Sequence, residues 1–245
     1  MSIVTALFIN KNNINFNINL NNLNIFFKNL SSPYNKIHIQ NSNNKNPNYL
    51  DSIFMADSSA GQGKSRNLIS IGHISVLVNG SIFNSRSDIE RITGKKFFND
   101  YDLSNIILHG YLRHGIKIFN LLNGSFACVI LDKKRERIII ARDRFGTNLL
   151  FFARGEWGLA ISTEIKSLLS LSFIKDVPNW EIVSRYIMSN YRYAYGSNKT
   201  FFKQIDLINP NSINIFNLEG KFLEECELHK FQERKIERIS DKEAK

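Results

Sequence analysis

Between Leu122 and Leu169 the chain alternates short, almost wholly apolar runs with polar breaks, and no other stretch narrows the choice of fold so far. Phe126-Ala127-Cys128-Val129-Ile130-Leu131 ends at Asp132-Lys133-Lys134-Arg135-Glu136, and Ile138-Ile139-Ile140-Ala141 follows, the pattern of a β-hairpin. Gly146-Thr147-Asn148 breaks the chain before Leu149-Leu150-Phe151-Phe152, and Gly155 separates that run from Leu159-Ala160-Ile161. Strands that are apolar at nearly every position are buried on both faces. The last run meets Ser162-Thr163-Glu164-Ile165-Lys166-Ser167-Leu168-Leu169, where Ser162 or Thr163 is expected to cap a helix with Glu164 in its first turn. A buried sheet that runs straight into a helix implies layered α/β packing.

Other elements are read the same way. Leu103, Ile106, Ile107 and Tyr111 fall on one helical face between a cap at Asp102 or Ser104 and a stop at Gly115. Ile69 to Val78 reads as a strand, and Glu181 to Met188, after Pro178, as a helix leading to the tyrosine-rich Tyr191-Arg192-Tyr193-Ala194-Tyr195-Gly196. From Asn10 to Asn48 asparagines are interleaved with apolar residues. Ile14 to Leu20 alternates with strand period and is expected as an edge hairpin, and Asn41 to Asn48 as a loop. Phe231 to Lys245 is charged, helix-forming and linker-like.

A chain of 245 residues, 43% hydrophobic, can bury a sizeable core as one large domain or two small ones. Cys128 sits inside an apolar run and Cys226 near the end; two such cysteines make neither a disulfide framework nor a metal site. His109 and His114, five apart, match no zinc motif. The apolar run Ile3 to Ile9 is too short for a signal peptide, and no stretch approaches the ~20 apolar residues of a membrane span, so a cytoplasmic protein is expected. The net charge of +10 is spread along the chain, with mild clusters at Arg135 to Arg144 and Lys230 to Lys245. With no RNA or DNA motif beside it, that charge reads as a solvated basic surface rather than a nucleic-acid site.

Three of these segments carry a family resemblance. Asn123-Gly124-Ser125-Phe126-Ala127, Ala141-Arg142-Asp143-Arg144-Phe145-Gly146 and Ser162-Thr163-Glu164-Ile165-Lys166-Ser167-Leu168 resemble, in order and spacing, consecutive motifs of the glutaminase domain of glutamine-hydrolysing asparagine synthetases. The resemblance runs roughly from Leu50 to Leu228, with a weak match over residues 1 to 10. It implies a class II glutamine amidotransferase with the N-terminal-nucleophile hydrolase fold, an α+β, four-layer αββα sandwich of two antiparallel sheets. Residues 1–228 are expected to form this domain, with 10–48 divergent and 229–245 a tail. Thr200-Phe201-Phe202-Lys203-Gln204-Ile205 and Leu207-Ile208-Asn209-Pro210 resemble the hairpin that closes it. The family's second, ATP-using domain carries a Ser-Gly-Gly-Leu-Asp-Ser loop, and no such string occurs here. The chain is then expected as a single-domain protein, a split subunit or a fragment, without a cofactor of its own. ATP and Mg²⁺ are implied only for a synthetase domain or partner.

The resemblance also implies a site, residue by residue. The family's nucleophile is a cysteine directly after the initiator Met, activated by its own α-amine; here Ser2 takes that place. A hydroxyl is far less acidic than a thiol of pKa ~8.5, so less nucleophile is available near neutral pH. Val78-Asn79-Gly80-Ser81-Ile82-Phe83-Asn84 resembles the Asn-Gly-Glu-Ile-Tyr-Asn motif whose Asn side chain and Gly N–H form the oxyanion hole. The alternative is that Asn79-Gly80 is only a strand-end turn. Asp102 matches the acid that receives the ammonium of bound glutamine, or it is only a helix cap. Other glutamine contacts are altered: Ser81 replaces the motif's Glu, Ser52 stands at the Arg of Arg-Leu-x-Ile-x-Asp, and Ser31-Ser32-Pro33-Tyr34 keeps only Pro33 of Arg-Gly-Pro-Asp. Ser58 to Ser65 nearly fits a phosphate-binding loop, but Ser58 replaces its first Gly and a strand follows where a helix is required. The expected role is a glutaminase-derived domain with lost or impaired glutamine hydrolysis that supports an ATP-dependent amide-forming domain or partner. An active amidohydrolase with Ser2 as nucleophile, or a basic nucleic-acid-binding module, are the alternatives.

Overall fold

In the computed structural model, described for residues 3–9, 35–41, 53–60, 68–96, 102–189 and 198–229, two antiparallel sheets of six strands face one another. The first is built from β1 (Ile3–Ile9), β2 (Asn35–Asn41), β3 (Ile53–Ala60), β8 (Phe151–Gly155), β9 (Gly158–Ser162) and β10 (Asp206–Leu207), in the order β10-β8-β9-β1-β3-β2. The second contains β4 (Leu68–Ile71), β5 (Ile74–Ile82), β6 (Gly124–Asp132), β7 (Arg137–Arg142), β11 (Ser212–Asn217) and β12 (Phe222–Glu227), in the order β12-β11-β7-β6-β5-β4. Helices α1 (Arg86–Thr93), α2 (Leu103–His114) and α3 (Ile118–Leu121) lie between β5 and β6 in the chain; α4 (Ile165–Leu169) and α5 (Trp180–Ser189) follow β9.

Side-chain alternation sorts these strands into layers. On β6, Phe126, Cys128 and Ile130 pack with Ile106, Ile107, Tyr111 and Phe119 of the helices, while Ala127, Val129 and Leu131 pack with Val4, Ala6 and Phe8 of β1. On β1 and β9, Leu7 and Ala160 turn the other way, onto Leu168 of α4 and the following Leu171 and Ile174. Three apolar interfaces therefore separate four layers, helix, sheet, sheet and helix, and a strand with core on both sides must be apolar at every position. This is the α+β sandwich that the family resemblance implies, and it is antiparallel throughout.

Several local expectations need correction. Ile69 to Val78 is a hairpin rather than one strand, since Gly72 adopts φ +60° and turns the chain so that Ile71 pairs with Ile74. The strand at Leu149 begins only at Phe151, although Ile208 N–H still donates to Leu150 O in the continuing register of β10. Helix α4 begins after Glu164, which is its N-cap and not a first-turn residue; Ser162 Oγ accepts from Glu164 N–H, and Thr163 is drawn to β1. Of the expected hairpin at Thr200 to Pro210, only Asp206–Leu207 is strand, paired with β8. The closing hairpin is β11–β12, beyond Asn211, which turns the chain with φ +57°. The expected edge hairpin at Ile14 to Leu20, the loop after Asn41, the tyrosine-rich segment at 191–196 and the charged tail lie outside the described residues. Ser58 to Ala60, the start of the near-match to a phosphate loop, belong to β3.

The far end of the β5–β6 ladder is closed by a polar knot. Asp132, with no exposed surface, accepts from Tyr111 Oη at 2.7 Å and from Arg135 Nη1 at 3.0 Å and backbone N–H at 3.1 Å; Arg137 Nη2 donates to Tyr111 Oη at 2.8 Å. Burial alone would raise the Asp132 pKa, but the hydrogen bonds from Tyr111 and Arg135 outweigh it and hold the carboxyl below its ordinary value. Its contribution to stability is present above about pH 4 and is lost as pH falls through the lowered folded value. Tyr111→Phe is expected to cost about 1–3 kcal/mol in urea unfolding at neutral pH, because it strips a partner from a buried carboxylate. Asp132→Asn is expected to flatten the fall in melting temperature on acidification below that pH; an unchanged acid profile would show that the carboxylate is not the group responsible.

Candidate functional site

Asn79 and Gly80 do not form a turn. They lie within the β5–β6 ladder, Asn79 opposite Ala127 and Gly80 opposite Phe126. What requires glycine is the neighbouring strand: Gly80 has φ +136°, and a Cβ there would stand 2.0 Å from Ser125 O and 2.7 Å from Phe126 Cα. Gly124 faces the same limit, its Cβ falling 2.5 Å from Ser81 O. Two glycines on adjacent strands thus let the backbones approach where side chains would force them apart.

One residue before Gly80, Asn79 alternates with Val78, which packs on the helix layer, and so turns to the inter-sheet side with Leu77. It is 7% exposed. Its Nδ2 donates to Asn148 Oδ1 at 3.3 Å, and Asn148 Nδ2 donates to Ser125 Oγ at 2.7 Å. Asn148 is held in turn by the loop that Arg142 and Asp143 build. Buried Arg142 donates through Nε to Asn148 O at 2.7 Å and through its other nitrogens to the carbonyls of Gly146 and Ile208. Buried Asp143 accepts from the backbone N–H groups of Phe126 at 3.2 Å, Phe145 at 2.9 Å and Thr147 at 3.1 Å. Charges this deep are tolerated because donors or acceptors surround each of them.

Asn79 opens onto a cleft of about 300 Å³ whose other walls are Leu149, Phe151, Thr163, Glu164, Ile165 and Lys166. Thr163 also ties the cleft to the start of β1, since Val4 N–H donates to Thr163 Oγ1 at 3.2 Å and Thr163 N–H to Val4 O at 3.1 Å. The cleft offers a carboxamide, a hydroxyl and one charge of each sign above an apolar floor, a set suited to holding a small polar molecule that carries both charges. Ser2, the candidate nucleophile, lies outside the described residues, as do Ser52 and the segment at Ser31 to Tyr34.

Asp102 is not among the residues that line this cleft. It caps α2, accepting from Ser104 N–H at 3.1 Å, Ser104 Oγ at 2.6 Å and Asn105 Nδ2 at 2.8 Å. That helix packs on the face of β5 opposite to the one Asn79 occupies. Asn79 and Gly80 are adjacent on β5, and the Asp102 carboxylate serves as the cap of α2. Ser81 is exposed next to Gly80. His114 bonds Ile92 O at 2.9 Å, and burial together with the Lys95 charge lowers the pKa of His109; neither belongs to the cleft. Among the described residues no cluster of His, Cys, Asp and Glu could hold a metal, and no helix is long and apolar enough to cross a membrane.

Sequence reasoning missed Ser125, Asn148, Thr163, Glu164 and Lys166 as site residues. Ser125, Thr163, Glu164 and Lys166 lie within the three segments that carry the family resemblance, and Asn148 two residues after the second.

The signature of the glutamine amidotransferase domain family matches residues 59–226. Asparagine synthetase [glutamine-hydrolyzing] 2 of Bacillus subtilis is 32% identical over 110 residues, covering 45% of this chain and 15% of that protein. The nodule asparagine synthetase of Pisum sativum is 35% identical over 99 residues, covering 39% and 16%. Amidase chry2 of Gibberella zeae is 32% identical over 114 residues, covering 44% and 16%. The matched part thus spans less than a fifth of each of these relatives. Among solved structures, the glutamine phosphoribosylpyrophosphate amidotransferase of B. subtilis superposes with a TM-score of 0.47 at 13% identity, over 71% of this chain and 35% of that one.

Gly80→Ala tests the close approach of β5 and β6. A methyl at φ +136° against Ser125 O is expected to cost about 2 kcal/mol or more in urea unfolding. Ala at Gly72, where a Cβ meets nothing within 4 Å, is expected to cost only its conformational strain, so equal losses at the two positions would contradict the steric account.

Proposed function

Since the chain belongs to the glutamine amidotransferase domain family, we propose that it is a glutaminase-derived domain whose glutamine hydrolysis is lost or impaired and whose role is to support an ATP-dependent amide-forming domain or partner, of the asparagine synthetase, β-lactam synthetase or lasso-peptide cyclase type. The observation that carries this reading is Ser2 where the family's pattern has its nucleophilic Cys. An N-terminal hydroxyl beside an α-amine can attack in principle, but with far less ionised nucleophile than a thiol offers. The altered binding positions point the same way. Losing a hydrogen bond to a charged group costs ~1.5–3 kcal/mol, roughly 10- to 150-fold in affinity, and Ser52 and Ser81 each stand where the family's pattern has a charged side chain.

What persists favours descent from a working site. Asn79 and Gly80 keep the oxyanion-hole residues, and the cleft in front of them has room for a small polar substrate. Asp102 retains the acid of the pattern while serving α2 as its cap. In this reading ATP and Mg²⁺ belong to the partner or a further domain, since the sequence has no pyrophosphate-cradling loop. The asparagine synthetases named above are glutamine-hydrolysing proteins much longer than the matched stretch, and this favours a partner of that kind.

The test is intact mass, to establish whether Met1 is removed, followed by ammonia release from glutamine. The purified protein is expected to give no ammonia above the enzyme-free rate. Ser2→Cys alone is expected to recover little, and Ser2→Cys combined with Ser52→Arg and Ser81→Glu to recover more. Ammonia release by the unmodified protein that Ser2→Ala abolishes would overturn the reading in favour of an active N-terminal-serine amidohydrolase.

A further inference from the structure

Asn-Gly occurs twice in this chain, both times as Asn-Gly-Ser, at 79–81 and at 123–125. The two tripeptides lie on neighbouring strands, with Ser81 opposite Ser125. Such a pair carries a chemistry of its own, because the glycine nitrogen has no side chain beside it and can close a five-membered ring on the asparagine carboxamide carbon. With the same tripeptide at both places, a difference in reactivity between them has to come from the fold.

At Asn79 the fold opposes ring closure. The side chain is 7% exposed and bound to Asn148 Oδ1 at 3.3 Å, and the residue stands within the ladder opposite Ala127, with pairs on both sides of it. Turning its carboxamide onto the next nitrogen requires the core to open around β5. Asn123 stands just ahead of β6 and is exposed. Its hydrogen bonds among the described residues are made by the backbone: N–H donates to Asn84 Oδ1 at 2.7 Å, and O accepts from Phe83 N–H at 2.7 Å. The second of these makes Phe83 and Asn123 a hydrogen-bonded pair, so by the alternation of an antiparallel ladder Gly124 N–H points away from β5. Phe126, two residues on, bonds Asp143 on that side, but β7 pairs no residue of β6 before Ala127. The Gly124 nitrogen therefore faces no paired strand, and the carboxamide next to it is free to turn.

We propose that Asn123-Gly124 is a site of spontaneous deamidation and isoaspartate formation, from which Asn79-Gly80 is protected by its place in the ladder. The Gly124 nitrogen forms a bond to Asn123 Cγ and loses its proton. The Cγ–Nδ2 bond breaks, ammonia leaves with that proton, and a succinimide remains. Water then opens one or other ring carbonyl, giving aspartate or isoaspartate at position 123, each with a new negative charge. The isoaspartyl form inserts a backbone carbon directly before Gly124, where a Cβ would stand 2.5 Å from Ser81 O, so the mark falls at the tight end of the ladder. This chemistry needs neither the Asn79 cleft nor the amidotransferase reading.

The test is incubation of the full chain in mildly alkaline buffer, folded and in urea, followed by peptide mapping with isoaspartate-resolving mass spectrometry. In urea the two sites are expected to gain about 1 Da each at rates within about threefold of one another, because the unfolded chain leaves only the shared tripeptide to set them. In the folded protein Asn123 is expected to react more than about tenfold faster than Asn79, since the core opens far more rarely than a ladder end. Asn123→Gln is expected to remove the main acidic species that accumulates, because the longer side chain must close a six-membered ring. Equal rates at the two positions in the folded protein, faster reaction at Asn79, or an Asn123 that stays intact when folded for the time in which it reacts in urea would each overturn the proposal.

Discussion

Nine consecutive residue pairs, from Ile74 opposite Asp132 to Ile82 opposite Gly124, join β5 to β6, and three of the four layers meet at that ladder. One of its faces receives the helices through Val76, Val78, Cys128 and Ile130, and the other the second sheet through Leu77, Ala127 and Val129. The Tyr111–Asp132 knot closes one end. At the other end Gly80 and Gly124 bring the strands close enough that neither position has room for a side chain. The segment that the resemblance assigns to chemistry is therefore also the segment on which the fold depends. A pattern under that double constraint can persist in sequence after its chemistry has weakened.

The same coupling runs through Arg142 and Asp143. Neither lines the cleft, yet their hydrogen bonds shape the loop from Asp143 to Asn148 and deliver Asn148 to Asn79 and Ser125. An isolated buried charge would be prohibitive, whereas these two are met by backbone carbonyls and N–H groups, so their solvation is replaced rather than removed. The loop is fixed by charges that face inward, and the cleft inherits its wall from that arrangement.

Much of this was legible where the causes are local. Helix α2 could be read end to end, since Asp102 caps it, Gly115 stops it, and Leu103, Ile106, Ile107 and Tyr111 form its buried face. The doubly buried strands β6, β7 and β9 announced themselves as unbroken apolar runs. Features that depend on distant partners did not. Asn79-Gly80 has the composition of a turn, and only the approach of Gly124 on the next strand makes it mid-ladder. Asn148 joins Asn79 across 69 positions of sequence, and no local pattern records such a contact. The break at Gly72-His73 was hidden because isoleucines flank it on both sides.

In the proposed reading scaffold and chemistry have separate fates along this chain: the sandwich, its tight ladder and the Asn79–Gly80 pair are kept, while Ser2, Ser52 and Ser81 stand where the family's pattern places the groups that activate and grip glutamine. We propose that Asn79 and Gly80 are held in place by the scaffold without a glutamine to serve. The most direct test is a titration of the isotope-labelled protein with L-glutamine, following the Asn79 side-chain amide and the Gly80 backbone amide by NMR. The account predicts that neither resonance shifts saturably, whereas saturable shifts of both, abolished by Asn79→Ala for Gly80, would contradict it.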